Sequence, residues 1–240
     1  MLGKIKALFA DLAKPMPLDN NFKDYNEYWN NRGFHAPSLN RAKIITRFVE
    51  SDCSILDIGC GDGTIMEYLN NNNRPKEVVG LDISEQAVEY VKNNGYIAYT
   101  IDAVSDDFAR FLENKYFDYI IITEVLEHVQ DPEKIIEMIK DHFSKAIIIS
   151  VPNAGFITHR LRLLLGRFPV VTIVQHVKEH IRFWTIHDFH DWCGYFGFHV
   201  DKCISSLLSK YKIINVIKNS FPSLFAEQVI YVISKNKNNN

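Results

Sequence analysis

Asp57-Ile58-Gly59-Cys60-Gly61-Asp62-Gly63 sets three glycines at alternate positions, two of them between a pair of aspartates and the last closing the run. It follows the apolar run Ser54-Ile55-Leu56-Asp57-Ile58 and precedes a helical pattern that starts at Thr64. A glycine loop carries meaning only in that context, between a strand and the helix it opens. There glycine permits a tight turn and lets a ligand approach backbone that any Cβ would shield. Working outward, residues 41–50 read as a helix before this strand, and Glu77 to Ile83 as the next strand, with Asp82 near its end. At that position a carboxylate faces the crevice and can accept both hydroxyl protons of a ribose.

The alternation continues. Ser84 caps a helix that Gly95 stops, Tyr96 to Asp102 forms a third strand, and Asp131-Pro132 opens a helix between the continuous apolar runs Phe117 to Thr123 and Lys145 to Ser150. Runs apolar on both faces belong to parallel sheets covered on each side. With Phe198 to Ile204 and Val229 to Lys235, the count reaches seven strands. The expected fold is α/β: a Rossmann-like, doubly wound, mostly parallel seven-stranded sheet with helices on both faces, N-terminal lid helices and a helical substrate-side insertion. One domain of 1–240 is expected. Its parts are a lid segment 1–40, a cofactor-binding core 41–152, a substrate-binding insertion 153–197, C-terminal strands and cover 198–235, and a disordered tail 236–240.

Composition narrows the function. The 240 residues are 47% hydrophobic and carry a net charge of −2, so a core is affordable in size and nothing global attracts nucleic acid. No apolar run approaches the roughly 18 residues of a membrane span. The amino-terminal stretch breaks its apolar run with lysines too early for a secretory signal, so a cytoplasmic location is expected. Cys53, Cys60, Cys193 and Cys203 form no C-x-x-C pair and read as reduced thiols.

The ligand class follows from the loop. The dinucleotide fingerprint G-x-G-x-x-G leaves helix amides free for a pyrophosphate, whereas here the third glycine comes one residue early, between Asp57 and Asp62. Such a field suits a ligand with a cationic or amino-acid end. The loop and Asp82 together resemble the class I S-adenosylmethionine-dependent methyltransferases, over residues from about 40 to 235. The resemblance implies that Asp57, Gly59, Gly61 and Gly63, with Cys60 among them, surround the methionine part of S-adenosylmethionine, that Asp82 holds its ribose and that Ile83 packs on its adenine. Tyr99-Thr100-Ile101-Asp102-Ala103 resembles the third-strand end of these enzymes, which implies that Asp102 and the amide of Ala103 meet the adenine edge; a helix cap is the competing role for Asp102. Thr123-Glu124-Val125-Leu126-Glu127-His128-Val129 is similar to the fourth-strand motif of ubiquinone-biosynthesis-type O-methyltransferases, which places Glu124 in the cofactor cleft. Val151 to Gly155, Arg160 to Val170 and His180 to Phe189 resemble methionine-biosynthesis protein W-type methyltransferases. In related enzymes an aromatic leader closes over the donor, which makes Tyr28 a cofactor contact and Trp29 a substrate contact.

Methyl transfer needs an aligned acceptor and, for a hydroxyl, a base. His128 and His180 are the candidate bases among nine histidines. The insertion is locally basic, so Asn153, His159, Arg160 and Arg182 are expected to bind an anionic small-molecule acceptor, a phosphate- or carboxylate-bearing metabolite or a cell-surface glycan precursor. The competing reading of Thr158 to Leu165 is a solvated basic helix face with Ile157, Leu161, Leu164 and Phe168 buried opposite it. Tyr211 to Leu224 reads as a cover over the acceptor pocket. His176-x-x-x-His180 and His187-x-x-His190 have spacings a metal could use but lack a supporting framework, so no metal is expected. No nucleic-acid partner is expected; a homodimer is. The function read from the chain is S-adenosylmethionine-dependent O-methylation, yielding S-adenosylhomocysteine. Its alternatives are a nicotinamide-dependent oxidoreductase and a non-catalytic cofactor-binding regulator.

Overall fold

A computed structural model describes residue 12 and residues 24–34, 39–169, 180–207 and 209–236. The strands are β1 (Ser54–Ile58), β2 (Glu77–Asp82), β3 (Ile97–Thr100), β4 (Phe117–Thr123), β5 (Phe143–Pro152), β6 (Phe198–Ser205) and β7 (Gln228–Lys235). They form one seven-stranded sheet in the order β3-β2-β1-β4-β5-β7-β6. β3, β2, β1, β4 and β5 run parallel, and β7 is antiparallel to both of its neighbours, which is the mostly parallel Rossmann-like sheet expected from the sequence.

The helices are α1 (Tyr25–Arg32), α2 (Leu39–Ile45), α3 (Thr64–Asn73), α4 (Glu85–Asn93), α5 (Asp106–Leu112), α6 (Pro132–Ile139), α7 (Ile157–Leu164), α8 (Ile186–Tyr195), α9 (Lys212–Ser220) and α10 (Pro222–Phe225). Their starts carry the expected chemistry. The Ser84 side chain accepts from Ala87 N, Asp131 accepts from Lys134 N ahead of Pro132, and Thr185 and Asp188 form a reciprocal capping box. Because the central strands are apolar on both sides, each face of the sheet buries its own core. Ile120, Ile122, Ile147 and Ile149 point to one, and Tyr119, Ile121 and Ile148 to the other.

The chain winds outward from β1 to β3, then reverses and lays β4 and β5 on the other side. The loops after β1 and β4 therefore part at the carboxyl edge of the sheet and open a crevice there.

Two helices depart from the sequence expectation. In α7 the faces are mixed: Arg160 is exposed and Ile157 and Leu161 are half-buried, but His159 and Arg162 are buried, while Leu163 and Leu164 are 54% and 81% exposed. Arg162 is drawn inward because its guanidinium donates to the carbonyls of Phe168 (2.9 Å) and Leu12 (3.0 Å). The expected burial of Leu164 and Phe168 is thereby overturned. Nor does the segment from Tyr211 to Leu224 cover a pocket. It forms α9 and α10, none of whose residues lines the crevice. His176 and the amino-terminal residues 1–11 lie outside the described residues.

Candidate active site

The loop after β1 is built on left-handed glycines. Gly59, Gly61 and Gly63 have φ of 74°, 53° and 73°. Gly59 N and Cys60 N both donate to Leu81 O, at 2.7 and 2.9 Å, which ties the loop to the end of β2. A Cβ on Gly59 would stand 2.2 Å from Val125 Cγ2, and one on Gly61 would stand 2.7 Å from Trp29 Cζ2. Glycine is thus required twice over, by backbone conformation and by close approach. Asp62 turns its Oδ1 onto Thr64 N and Thr64 Oγ1, so α3 starts with a negative charge at its amino end.

Asp82 is fixed from both sides. Its Oδ2 accepts from Gly61 N and its Oδ1 from Ser84 N, each at 2.9 Å, so the carboxylate bridges the glycine loop and the start of α4. Burial raises its pKa against the pull of those amides. Asp57 lies fully buried, and neither carboxylate oxygen has a hydrogen-bond partner among the described residues. Burial, then the charges of Asp82 and Asp62, push its pKa to about 7. Asp62 and Asp82 line the crevice, and Asp57 lies buried behind them.

The crevice is a cleft of about 470 Å³. Gly59, Cys60 and Gly61 line it on the β1 side, with Asp82, Ile83, Asp102 and Ala103 beyond them. Ile83 is 49% exposed and offers the cleft an apolar face. Asp102 lines the cleft while its Oδ1 accepts from Val104 N, and the cap of α5 is Ser105 instead. Tyr28 and Trp29 of α1 close the other side. The helix is held there because Ser84 Oγ donates to Asn26 Oδ1 at 2.7 Å and Trp29 stacks on Phe34, which stacks on Tyr90. Asp57 and Gly63 sit behind the loop rather than in the cleft wall.

At the end of β4, Glu124 takes a left-handed backbone (φ 55°) and is held by three separate elements. Its Oε1 accepts from Ser150 Oγ and its Oε2 from Gln228 Nε2, both at 2.8 Å, and Arg41 Nη1 stands 3.5 Å from Oε2. One helical turn later Glu127 is fully buried, with both carboxylate oxygens unpartnered among the described residues. Burial, then the Glu124 charge, hold that carboxyl well above the usual range. His128 Nε2 is 3.9 Å from Glu127 Oε1. His180 reaches the same place from the insertion because Ile181 N and Arg182 N donate to Glu127 O, at 2.9 and 3.1 Å. The His128 and His180 rings meet edge to face with centroids 4.5 Å apart, and burial, then the His128 charge, push the His180 pKa down to about 3. His180 Nδ1 is buried without a partner among the described residues. Ligand atoms of Glu127, His128 and His180 all lie within 4.8 Å of one another, a spacing that a divalent cation could bridge.

The other residues expected to bind the acceptor lie elsewhere. Asn153 is buried, donating to Ala226 O at 2.8 Å and accepting from Gly155 N at 2.9 Å, which pins the end of β5 to the turn before β7. His159 Nδ1 donates to Asn153 O at 3.2 Å, and burial pushes its pKa to about 4. Arg160 is directed at Gly155 O and Ser223 O. Arg182 is taken up by Gln130 O and by Glu133, at 2.8 and 3.1 Å. None of the four lines the cleft, and both guanidiniums are engaged where they are. Conversely, Arg41 and Gln228 carry no signal in the sequence, and Glu127 stands out there only as a possible carboxylate pair with Glu124, whose spacing of three on a strand-to-helix turn does not by itself oppose two carboxylates across a bond. Glu127 sat inside a motif that was read, whereas Arg41 and Gln228 come from distant segments with no pattern of their own.

Comparison with known proteins agrees with this geometry. Residues 40–233 match a family model described as methionine biosynthesis protein MetW. A ubiquinone biosynthesis O-methyltransferase of Coxiella burnetii is 28% identical over 144 residues, covering 55% of this chain and 53% of the relative. One from Xylella fastidiosa is 24% identical over 187 residues, covering 72% and 74%. The chain thus spans about half the length of the first such relatives. Among solved structures, a SAM-dependent methyltransferase from Archaeoglobus fulgidus superposes with a TM-score of 0.61 at 18% identity, covering 89% of this chain and all (100%) of that one. Magnesium protoporphyrin IX methyltransferase from Synechocystis with bound SAH gives 0.58 at 12% identity, covering 97% and 95%. These likenesses establish the shared fold.

Proposed function

The chain belongs to the family of the methionine biosynthesis protein MetW, and from that premise we propose that it transfers a methyl group from S-adenosylmethionine to a hydroxyl of a small acceptor. The observation that carries this reading is the acidic glycine cradle: a left-handed loop bridged to Asp82, with Asp57 buried beneath it and left without a partner. A pyrophosphate would meet like charge there, whereas an ammonium or sulfonium would compensate it, which argues against the nicotinamide alternative. The residues present fit the cofactor. Asp82 would take the ribose hydroxyls on the lone pairs its two amide donors leave free. Ile83 would pack on the adenine, with Asp102 and Ala103 at its edge, and Glu124 would face the cleft beside them. The rings of Tyr28 and Trp29 would shelter the cationic end. When bound, S-adenosylmethionine supplies an already activated methyl, so the chain's own task is alignment and proton removal.

His128 lines the cleft, and in this reading it takes the acceptor proton. His180, held neutral by burial, packs against it and fixes its ring. The anionic acceptor expected from the sequence finds no support in Arg160 or Arg182, so a neutral hydroxyl-bearing acceptor is the reading preferred here. A cytoplasmic setting agrees with cysteines that are all unpaired. The test is incubation with methyl-labelled donor and a panel of hydroxyl-bearing metabolites. Labelled product that His128→Ala abolishes, with S-adenosylhomocysteine affinity retained, supports the proposal. A protein that binds the cofactor and labels no acceptor is the regulatory alternative.

One observation favours a second reading of the same site. Glu127 and His180 each carry a buried polar atom with no hydrogen-bond partner among the described residues, and with His128 they offer ligand atoms within 4.8 Å of one another, close enough for one divalent cation. That cation would supply Lewis-acid activation of the acceptor hydroxyl in place of a histidine base. Elemental analysis separates the two: stoichiometric metal lost in His180→Ala supports the cation, and metal-free protein that turns over supports the base.

A further inference from the structure

We propose that the surface formed by α7, α9 and α10 docks on an anionic lipid bilayer, bringing the mouth of the cleft to the membrane. The argument begins with α9, which is amphipathic and faces the wrong way for a soluble helix. Its polar side is turned to the protein. Asn219 Oδ1 accepts from Ser205 N, Asn215 bonds both the N–H and the carbonyl of Ser209, and Lys218 donates to Leu207 O. No residue of α9 is buried, and its apolar side stands outward, with Ile213, Val216 and Ile217 at 66%, 57% and 42% exposure. A surface helix ordinarily buries its apolar stripe, and an exposed apolar patch of this kind marks a contact surface.

The second observation is independent. α7 also turns apolar side chains outward, with Leu163 and Leu164 exposed alongside Arg160 while His159 and Arg162 are buried; Leu165 and Phe168, just beyond its end, are 62% and 47% exposed. The two helices belong to one region of the fold. Arg160 of α7 donates to Ser223 O of α10, and α10 follows α9 directly. Gln228, which lines the cleft, begins β7 just after α10, so this region adjoins the carboxyl edge where the cleft opens.

Charge selects the occupant. No Asp or Glu occurs from 142 to 178 or from 202 to 226, in a protein whose net charge is −2. Lys210, Lys212 and Arg167, neighbours in sequence of these apolar side chains, are exposed. Apolar side chains flanked by cations and lacking anions are the composition of an interfacial helix on anionic lipid. Two copies of this surface pairing face to face would oppose cation to cation, which disfavours self-association.

The test uses the full chain with sucrose-loaded vesicles, one set of phosphatidylcholine alone and one containing phosphatidylglycerol. Co-sedimentation is expected to favour the anionic vesicles by about tenfold or more and to weaken with added salt. Ile213→Glu with Ile217→Glu, and separately Lys210→Glu with Lys212→Glu, should each lower binding by about tenfold or more. Circular dichroism and S-adenosylhomocysteine affinity should not change, because these side chains are exposed and outside the cleft. The proposal is overturned if neither vesicle binds, if both bind alike, or if the variants bind as the parent does. It is equally overturned if sedimentation velocity shows a dimer that Ile213→Glu with Ile217→Glu dissolves while vesicles stay unbound, since the surface would then join copies of this chain.

Discussion

Asp57→Asn should stabilise the protein at neutral and alkaline pH and leave it nearly unchanged at low pH. Burial and the charges of Asp82 and Asp62 raise the Asp57 pKa from 3.8 to about 7 in the folded chain. The unfolded chain releases this proton near 3.8, so between that pH and about 7 the folded state holds a proton the unfolded state lacks. Stability therefore falls as pH rises through this window and is level above it. About two units of the shift lie between roughly pH 5 and pH 7, and at about 1.4 kcal/mol per unit the parent loses about 3 kcal/mol there. An asparagine does not titrate and loses none of it. For a chain of this size, about 3 kcal/mol corresponds to roughly 6–12 °C in Tm. The assay is thermal unfolding of parent and variant at about pH 5 and about pH 8. The variant's Tm advantage should grow by that amount between the two; parallel pH dependences would refute the burial of an unpartnered Asp57.

Three further outcomes follow from the same contacts. Gly61→Ala places a Cβ 2.7 Å from the Trp29 ring at φ 53°. It should cost about 1–2 kcal/mol in strain and weaken S-adenosylhomocysteine binding about tenfold or more by calorimetry. Asn153→Ala removes the donor to Ala226 O and the acceptor for Gly155 N in a buried setting, and denaturant unfolding should show a loss of about 2–3 kcal/mol with cofactor affinity little changed. His128→Ala should lower turnover about 10²- to 10⁴-fold while leaving cofactor affinity within about twofold.

The sheet was legible because its signals are local. Continuous apolar runs such as Phe117 to Thr123 have one stable solution, a strand covered on both faces, and Ser84 and Asp131 announce the helices they cap. The wall of the cleft was legible for the same reason: the glycine loop and Asp82 lie at the ends of adjacent strands. The insertion was not. Arg160 and Arg182 looked like anion receptors because charge in a sequence carries no partner, and carbonyls at Gly155, Ser223 and Gln130 absorb them in the fold. Periodicity locates α7 and the exposure of Arg160 but not the burial of Arg162, since it cannot foresee that Phe168 O and Leu12 O draw that side chain inward. The meeting of Glu127 with His180 depends on backbone bonds from Ile181 and Arg182 to Glu127 O, a long-range contact with no local signature.

Calorimetric titration of S-adenosylhomocysteine and of NAD into the parent and Asp82→Asn probes the glycine loop and its aspartate themselves. The account predicts that the parent binds S-adenosylhomocysteine and not NAD, and that the variant binds it about tenfold or more weakly, because a charged acceptor fixed by Gly61 N and Ser84 N is lost. Equal affinity in parent and variant, or a preference for NAD, would contradict it.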